Sequence, residues 1–217
     1  MVGFGASAKE SFIVMGVYFF TSAEYLGRQR DDTAYVTDLY HSFLQREPDA
    51  AGLTFWLGQL AAGLSRNIAL LNFAFSPEFS QYMTAQVGDT GRAEVYTVVD
   101  FYRGFLNRLP DNAGFSYWVG RFRTAQCQDN RAILTEVESM SSQFLNSAEY
   151  QGRNRTNSQF VDDMYNTFLR RGGDLAGVNF WIGQLATSSR DQIRQQFKLS
   201  PEFQGRVNAI LAQGCLP

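Results

Sequence analysis

One block of sequence is written three times, and that repetition constrains the fold more than any other feature. Tyr40-His41-Ser42-Phe43-Leu44-Gln45-Arg46 returns as Tyr102-Arg103-Gly104-Phe105-Leu106-Asn107-Arg108 and again as Tyr165-Asn166-Thr167-Phe168-Leu169-Arg170-Arg171. Three residues after the arginine comes an aspartate (Asp49, Asp111, Asp174), then Ala51-Gly52, Ala113-Gly114 or Ala176-Gly177. Four residues further stands a tryptophan: Trp56, Trp118 or Trp181. All three tryptophans of the 217-residue chain hold this one position. A second block occurs four times: Ser22-Ala23-Glu24-Tyr25, Ser76-Pro77-Glu78-Phe79, Ser147-Ala148-Glu149-Tyr150 and Ser200-Pro201-Glu202-Phe203. The first of these has no Tyr-Phe-Leu-Arg block ahead of it. The chain is therefore expected to begin inside a unit whose front is missing, as a piece of a longer protein or a permuted array.

The unit is about sixty residues long and reads as helical throughout. Tyr35, Val36, Leu39, Tyr40, Phe43 and Leu44 fall on one apolar helix face, and Phe160, Val161, Met164, Tyr165, Phe168 and Leu169 repeat it. Pro48 is expected to stop this helix, and Asp49 to cap the next one. Gly52 is expected to let another helix approach closely, and Gly63 suits a helix end. The serine motif has the grammar of a helix start, with serine as the cap, proline or alanine first, and glutamate at the positive end of the dipole. Alternating strand patterns and Asn-Gly or Asp-Gly hairpin turns are absent. The expected fold is all-α: tandem helical repeats packed into one body. A partial N-terminal unit spans 1–34, repeat one 35–90, repeat two 91–156 and repeat three 157–217. Repeat two carries an insertion near 124–130, which is expected to form a distinctive loop.

Composition narrows the function classes. Apolar residues make up 45% of the chain, too many for intrinsic disorder. A net charge of -2 argues against a surface built to neutralise nucleic-acid phosphates. The apolar run Phe12–Phe20 is too short to span a bilayer, and its alignment with the stretch before Ser147 makes it a core helix. No membrane insertion is expected. Cys127 and Cys215 are too far apart for a zinc or redox CxxC motif. They either close a long disulfide loop, which implies an oxidising compartment, or stand as separate thiols.

These blocks resemble a bacterial family known as domain of unknown function 4214. Its pattern is roughly Tyr-x-x-x-Leu-x-Arg-x-x-Asp-x-x-Gly-x-x-x-Trp followed by Ser-x-Glu-Phe. The third copy departs from it with Gly172-Gly173 in place of the proline, which implies a looser first turn there. Members of the family are modules of large, often secreted or surface-attached bacterial proteins, and the layout is distantly similar to phycobilisome linker domains. The resemblance implies an extracellular or cell-surface interaction module and supplies no catalytic residue.

The residues themselves point the same way. His41 is the only histidine, at a position where the other copies have Arg103 and Asn166, and is read as a solvent-facing side chain. Without further histidines, His-based metal sites and Ser-His-Asp triads cannot be assembled. No metal, cofactor or catalytic residue is assigned, and the protein is expected not to be an enzyme. The other classes to weigh are a helical carbohydrate-active enzyme using paired carboxylates and a scaffold or self-associating module. Arg46, Asp49 and Trp56, with Arg108, Asp111 and Trp118 and with Arg171, Asp174 and Trp181, are candidate binding residues. Hydrogen bonds and ring stacking suit them to a protein or glycan partner. The competing reading makes the aspartate a cap, the arginine a tie between helices and the tryptophan core. Asp31-Asp32 and Asp162-Asp163 lack the spacing of a calcium loop and are expected at helix starts.

Overall fold

The computed structural model describes residues 8–88 and 91–215. The first seven residues of the N-terminal partial unit and the last two of repeats one and three lie outside them. Among the described residues every regular element is a helix. The partial unit contributes α1 (Ala8–Thr21) and α2 (Ala23–Gly27). Repeat one is built from α3 (Asp32–Leu39, continued by a π-helical turn, Tyr40–Leu44), α4 (Ala50–Ala61), α5 (Arg66–Ala74) and α6 (Pro77–Val87). Repeat two follows with α7 (Ala93–Leu106), α8 (Asn112–Gln126), α9 (Asn130–Leu145) and α10 (Ala148–Gly152). Repeat three comprises α11 (Asn157–Met164, continued by a π-helical turn, Tyr165–Leu169), α12 (Leu175–Gln184), α13 (Arg190–Leu199) and α14 (Pro201–Ala212). Aligned on the serine motif, α1 and α2 are the third and fourth helices of a unit.

Local chemistry starts the helices where the sequence indicates. The Asp49, Asp111 and Asp174 carboxylates each accept the backbone N–H three residues on, at 2.8, 2.9 and 2.8 Å. The hydroxyls of Ser22, Ser76, Ser147 and Ser200 do the same at 3.2, 3.0, 3.1 and 3.2 Å. The first helix of each copy ends before the expected proline stop. Gln45, Asn107 and Arg170 turn the chain with left-handed φ values of 56°, 53° and 52°. The third copy has no proline and ends at the same residue, so the left-handed residue is the terminator.

Two expectations about loops are corrected. Gly172 and Gly173 are buried, and a side chain on Gly172 would overlap the Ile68 carbonyl and Asn72 of α5. Gly172 gives a tight contact between repeats three and one, and Gly173 one with Tyr165 and Val178 of its own repeat, not a looser turn. The insertion near 124–130 makes longer helices instead of a loop. α8 has 15 residues against 12 in α4, and α9 has 16 against 9 in α5. Asp129 caps α9 through the N–H of Ala132, so little more than Cys127 and Gln128 intervenes.

The core repeats as faithfully as the sequence. The phenylalanine three residues before the serine motif meets the ring of its copy's tyrosine and tryptophan. Phe73 lies 5.0 Å from Tyr40 and 5.1 Å from Trp56, and Phe144 lies 4.9 and 6.1 Å from Tyr102 and Trp118. Phe197 lies 5.3 and 4.7 Å from Tyr165 and Trp181. Each such ring stabilises by a few kcal/mol, about 1.5–3, through burial, with edge-to-face packing adding to it. A Cβ on Gly52 would overlap the Tyr40 hydroxyl, and Gly114 and Gly177 face Tyr102 and Tyr165 alike. Repeats two and three meet through equivalent residues. Phe101 of α7 packs on Phe168 at 5.2 Å, and Thr167 fills the space that a side chain on Gly104 would need.

Candidate functional site

The arginines of the repeated motif are used inside each copy. Arg46 forks onto both oxygens of Glu78 at 2.8 and 3.1 Å, Arg108 onto Glu149 at 2.6 and 3.0 Å, and Arg171 onto Glu202 at 2.8 and 2.9 Å. Each guanidinium also lies over its tyrosine ring, at 4.9, 5.2 and 5.1 Å. The bidentate arginine holds the carboxyls of Glu78 and Glu149 below the usual carboxylate range. The aspartates are farther off, Asp49 at 3.7 Å from Arg46 and Asp111 at 3.8 Å from Arg108, and serve as caps. Trp118 is buried, and Trp56 and Trp181 pack half-buried against the core. The structure thus ties each arginine to a glutamate, leaves Asp49 and Asp111 within 4 Å of theirs, and turns the indole inward.

The residue before each tryptophan does the opposite. Phe55, Tyr117 and Phe180 are each 55% exposed, and each stands edge-on to its indole at 5.2, 5.1 and 5.0 Å. The indole fixes the ring, and the solvent side is left open. In repeat two Arg121 lies over Tyr117 and donates to its hydroxyl at 2.7 Å. The motif singles out Trp56, Trp118 and Trp181; its immediate neighbour, always Phe or Tyr, is the signal that reading passed over.

A second repeated constellation borders a cleft of about 370 Å³ where the copies converge, with Tyr25, Arg30, Arg155 and Asp163 in its lining. Arg30 forks onto Asp38 at 2.8 and 2.7 Å, and Tyr25 donates to the same carboxylate at 2.7 Å. Arg155, Asp163 and Tyr150 repeat this at 2.8, 2.7 and 2.9 Å. Burial alone would raise the Asp38 carboxyl, but hydrogen bonds from Arg30 and Tyr25 leave it below the ordinary range. For the more deeply buried Asp163 desolvation wins, and its carboxyl is raised. In the sequence, Tyr25, Arg30 and Asp38 stand at the same spacing as Tyr150, Arg155 and Asp163.

The acidic pairs divide. Asp31 caps α3 through the N–H of Ala34 at 2.7 Å, as expected of a helix start. Asp162 and Asp163 instead lie in the second half of α11 and are 1% and 2% exposed. Asp162 Oδ2 accepts from Ser65 at 3.0 Å, whereas its buried Oδ1 has no hydrogen-bond partner. Desolvation pushes its carboxyl up to about 7, with help from Asp163 and against hydrogen bonds from Ser65 and Asn67.

His41 is exposed and meets Glu47 at 2.8 Å. Its counterparts are not solvent-facing, because α7 and α11 pack face to face there. Arg103 is 1% exposed and donates to the Asn166 side chain at 2.7 Å. Around them lies a buried ion cluster. Asp100 accepts Arg103 at 2.7 Å, Arg170 at 2.6 Å and Arg206, and Glu10 of α1 accepts Arg170 at 2.5 Å. The ring of Phe75 lies against both Arg103 and Arg170, at 4.8 and 5.2 Å from their guanidinium carbons. Three nearby arginines hold the Asp100 carboxyl low despite burial.

Residues 18–83 and 141–207, more than half of the chain, each match a domain of unknown function, DUF4214. The chain belongs to the DUF4214 family. No curated protein and no solved structure matches it. Each DUF4214 match opens just ahead of one serine motif and closes just past the next. The part of repeat two with the lengthened α8 and α9 lies largely between them. Cys127, at the end of α8, is joined by a disulfide to Cys215 beyond α14, 88 residues away. No helix among the described residues is long and apolar enough to cross a membrane. No group of three or more His, Cys, Asp or Glu side chains among them is placed to hold a metal ion.

Proposed function

We propose that the chain is a non-catalytic interaction module of a larger bacterial secreted or cell-surface protein, and that it binds a protein or glycan partner. The reading is carried by Phe55, Tyr117 and Phe180, an aromatic ring turned to solvent at the same place in every copy. A rigid ring braced by an indole supplies contact area at low entropic cost, against a sugar face or a partner's side chain. The arginines that could have flanked such a ring are tied to glutamates, so the aromatic residue is the group left to meet a partner. The disulfide supports an oxidising compartment, since such bonds persist outside the reducing cytosol. The deciding experiment screens the full chain against surface glycans and candidate surface proteins, alongside the triple variant Phe55→Ala, Tyr117→Ala, Phe180→Ala. Binding by the parent and at least a tenfold weaker signal from a fully folded triple variant is expected. Equal binding by both proteins, or turnover of a polysaccharide abolished by removing one acid pair, would refute the reading.

A further inference from the structure

The third helix of a unit has the same two inward positions in every complete copy. Three residues before the serine motif stand Phe73, Phe144 and Phe197, exposed by 3%, 8% and 1%. A turn earlier, Ala69, Met140 and Ile193 are each 0% exposed. The phenylalanine is enclosed by the tyrosine and tryptophan of the first two helices of its own unit. On α1 the same positions are Phe19 and Met15, and these are 41% and 59% exposed. Phe12 and Tyr18 widen the strip, at 45% and 60%. A groove of about 580 Å³ runs beside it, between α1 and α6, bounded by Met15, Phe19, Tyr82 and Val87. The contacts of Phe19 are with its neighbours Phe20, Tyr25 and Arg28.

Charge marks the same vacancy independently. In the complete copies the serine-motif glutamate is forked by the arginine that follows the first helix: Glu78 by Arg46, Glu149 by Arg108, Glu202 by Arg171. The fourth such glutamate, Glu24, has a single contact to Arg28 at 3.4 Å, with both side chains largely exposed.

We propose that the outer face of α1 and α2 is a docking surface for the first two helices of another DUF4214 unit. The tyrosine and tryptophan of that helix pair would close over Phe19 and Met15, and its arginine would fork onto Glu24. The three complete copies show this packing at atomic detail, so the chemistry of the occupant is given by Tyr-x-x-Phe-Leu-x-Arg-x-x-Asp-x-x-Gly-x-x-x-Trp. A second intact copy of this chain is a poor occupant, because each of its own helix pairs already covers its own third helix. This surface is distinct from the rings of Phe55, Tyr117 and Phe180 and does not depend on the function proposed for them.

The test appends a copy of residues 157–187 ahead of Met1 through a flexible linker, with the full chain retained. Hydrogen exchange of the α1 amides should slow at least tenfold on fusion, and Met15→Glu should abolish that gain. Glu24→Arg should weaken it, and reversing the arginine of the appended pair to glutamate should restore it, a rescue that unspecific apolar contact would not give. Three results overturn the proposal: α1 amides that exchange equally fast with and without the appended pair; a dimer of the unfused chain that Met15→Glu dissociates; or binding of that face to phosphatidylcholine vesicles in preference to the helix pair.

Discussion

Replacing Asp162 with asparagine should remove a pH dependence that this single carboxyl writes into the stability of the fold. Asp162 is 1% exposed, and its Oδ1 has no hydrogen-bond partner. Its carboxyl is raised from 3.8 to about 7 in the folded chain, chiefly by desolvation. Well below its unfolded value of 3.8 the residue is protonated in both folded and unfolded chains and contributes no difference. As the pH climbs, the unfolded chain releases the proton while the folded chain keeps it, so stability falls. Each pH unit across this window costs about 1.4 kcal/mol, and the loss levels off above pH 7 at about 4 kcal/mol. Asp162→Asn retains acceptance from Ser65 and has no proton to lose. Urea unfolding followed by tryptophan fluorescence at half-unit steps from pH 4 to pH 8 measures both proteins, and the titrations of groups not coupled to Asp162 cancel in the difference. The variant should match the parent at pH 4 and exceed it by about 4 kcal/mol at pH 8. A flat difference curve would show that the carboxylate is solvated or paired after all. A curve of opposite slope would mean that its ionised form is the one the fold favours.

Other outcomes follow from single contacts. Cys127→Ser should lower stability by about 4 to 5 kcal/mol in the loop-entropy account, because 88 residues separate the partners; denaturant midpoints of oxidised and variant chains measure it. Asp100→Asn leaves Arg103, Arg170 and Arg206 with one buried carboxylate fewer and should cost about 3–5 kcal/mol. Glu149→Gln, at the exposed fork with Arg108, should cost less than about 1 kcal/mol, and the contrast in thermal midpoint between these two variants tests the role of burial. Gly104→Ala forces its methyl into Thr167 and should cost about 2 kcal/mol, part of which Thr167→Ala restores in the double variant.

What could be read in the sequence was what neighbouring residues decide. Asp49 and Ser76 cap helices because a side-chain oxygen reaches an N–H three residues away, and no distant part of the chain is consulted. The recurrence of Tyr40 and Trp56 was legible because both belong to one unit, but the ring of Phe73 that joins them was not singled out. Contacts between units were not legible. The position shared by His41, Arg103 and Asn166 varies, yet only the first is solvent-facing; the partner that buries Arg103 lies 63 residues along the chain. Gly172 looked like slack because Ile68 and Asn72, which need its missing side chain, lie in repeat one. The solvent-facing rings of Phe55, Tyr117 and Phe180 were hidden in plain sequence, since a ring beside a tryptophan does not declare which of the two turns outward.

Stacked-repeat proteins usually touch only their neighbours along the array, so a unit can be removed for the loss of one interface. The ion cluster makes that impossible here. Its members come from the partial unit (Glu10), repeat two (Asp100 and Arg103) and repeat three (Arg170 and Arg206), with Phe75 of repeat one packed against two of the guanidinium groups. Every segment of the chain thus holds one corner of the same knot. Deleting any of them strands charge or an empty slot in the interior, and the whole should melt all-or-none, behaving as one indivisible piece despite having been assembled from copies.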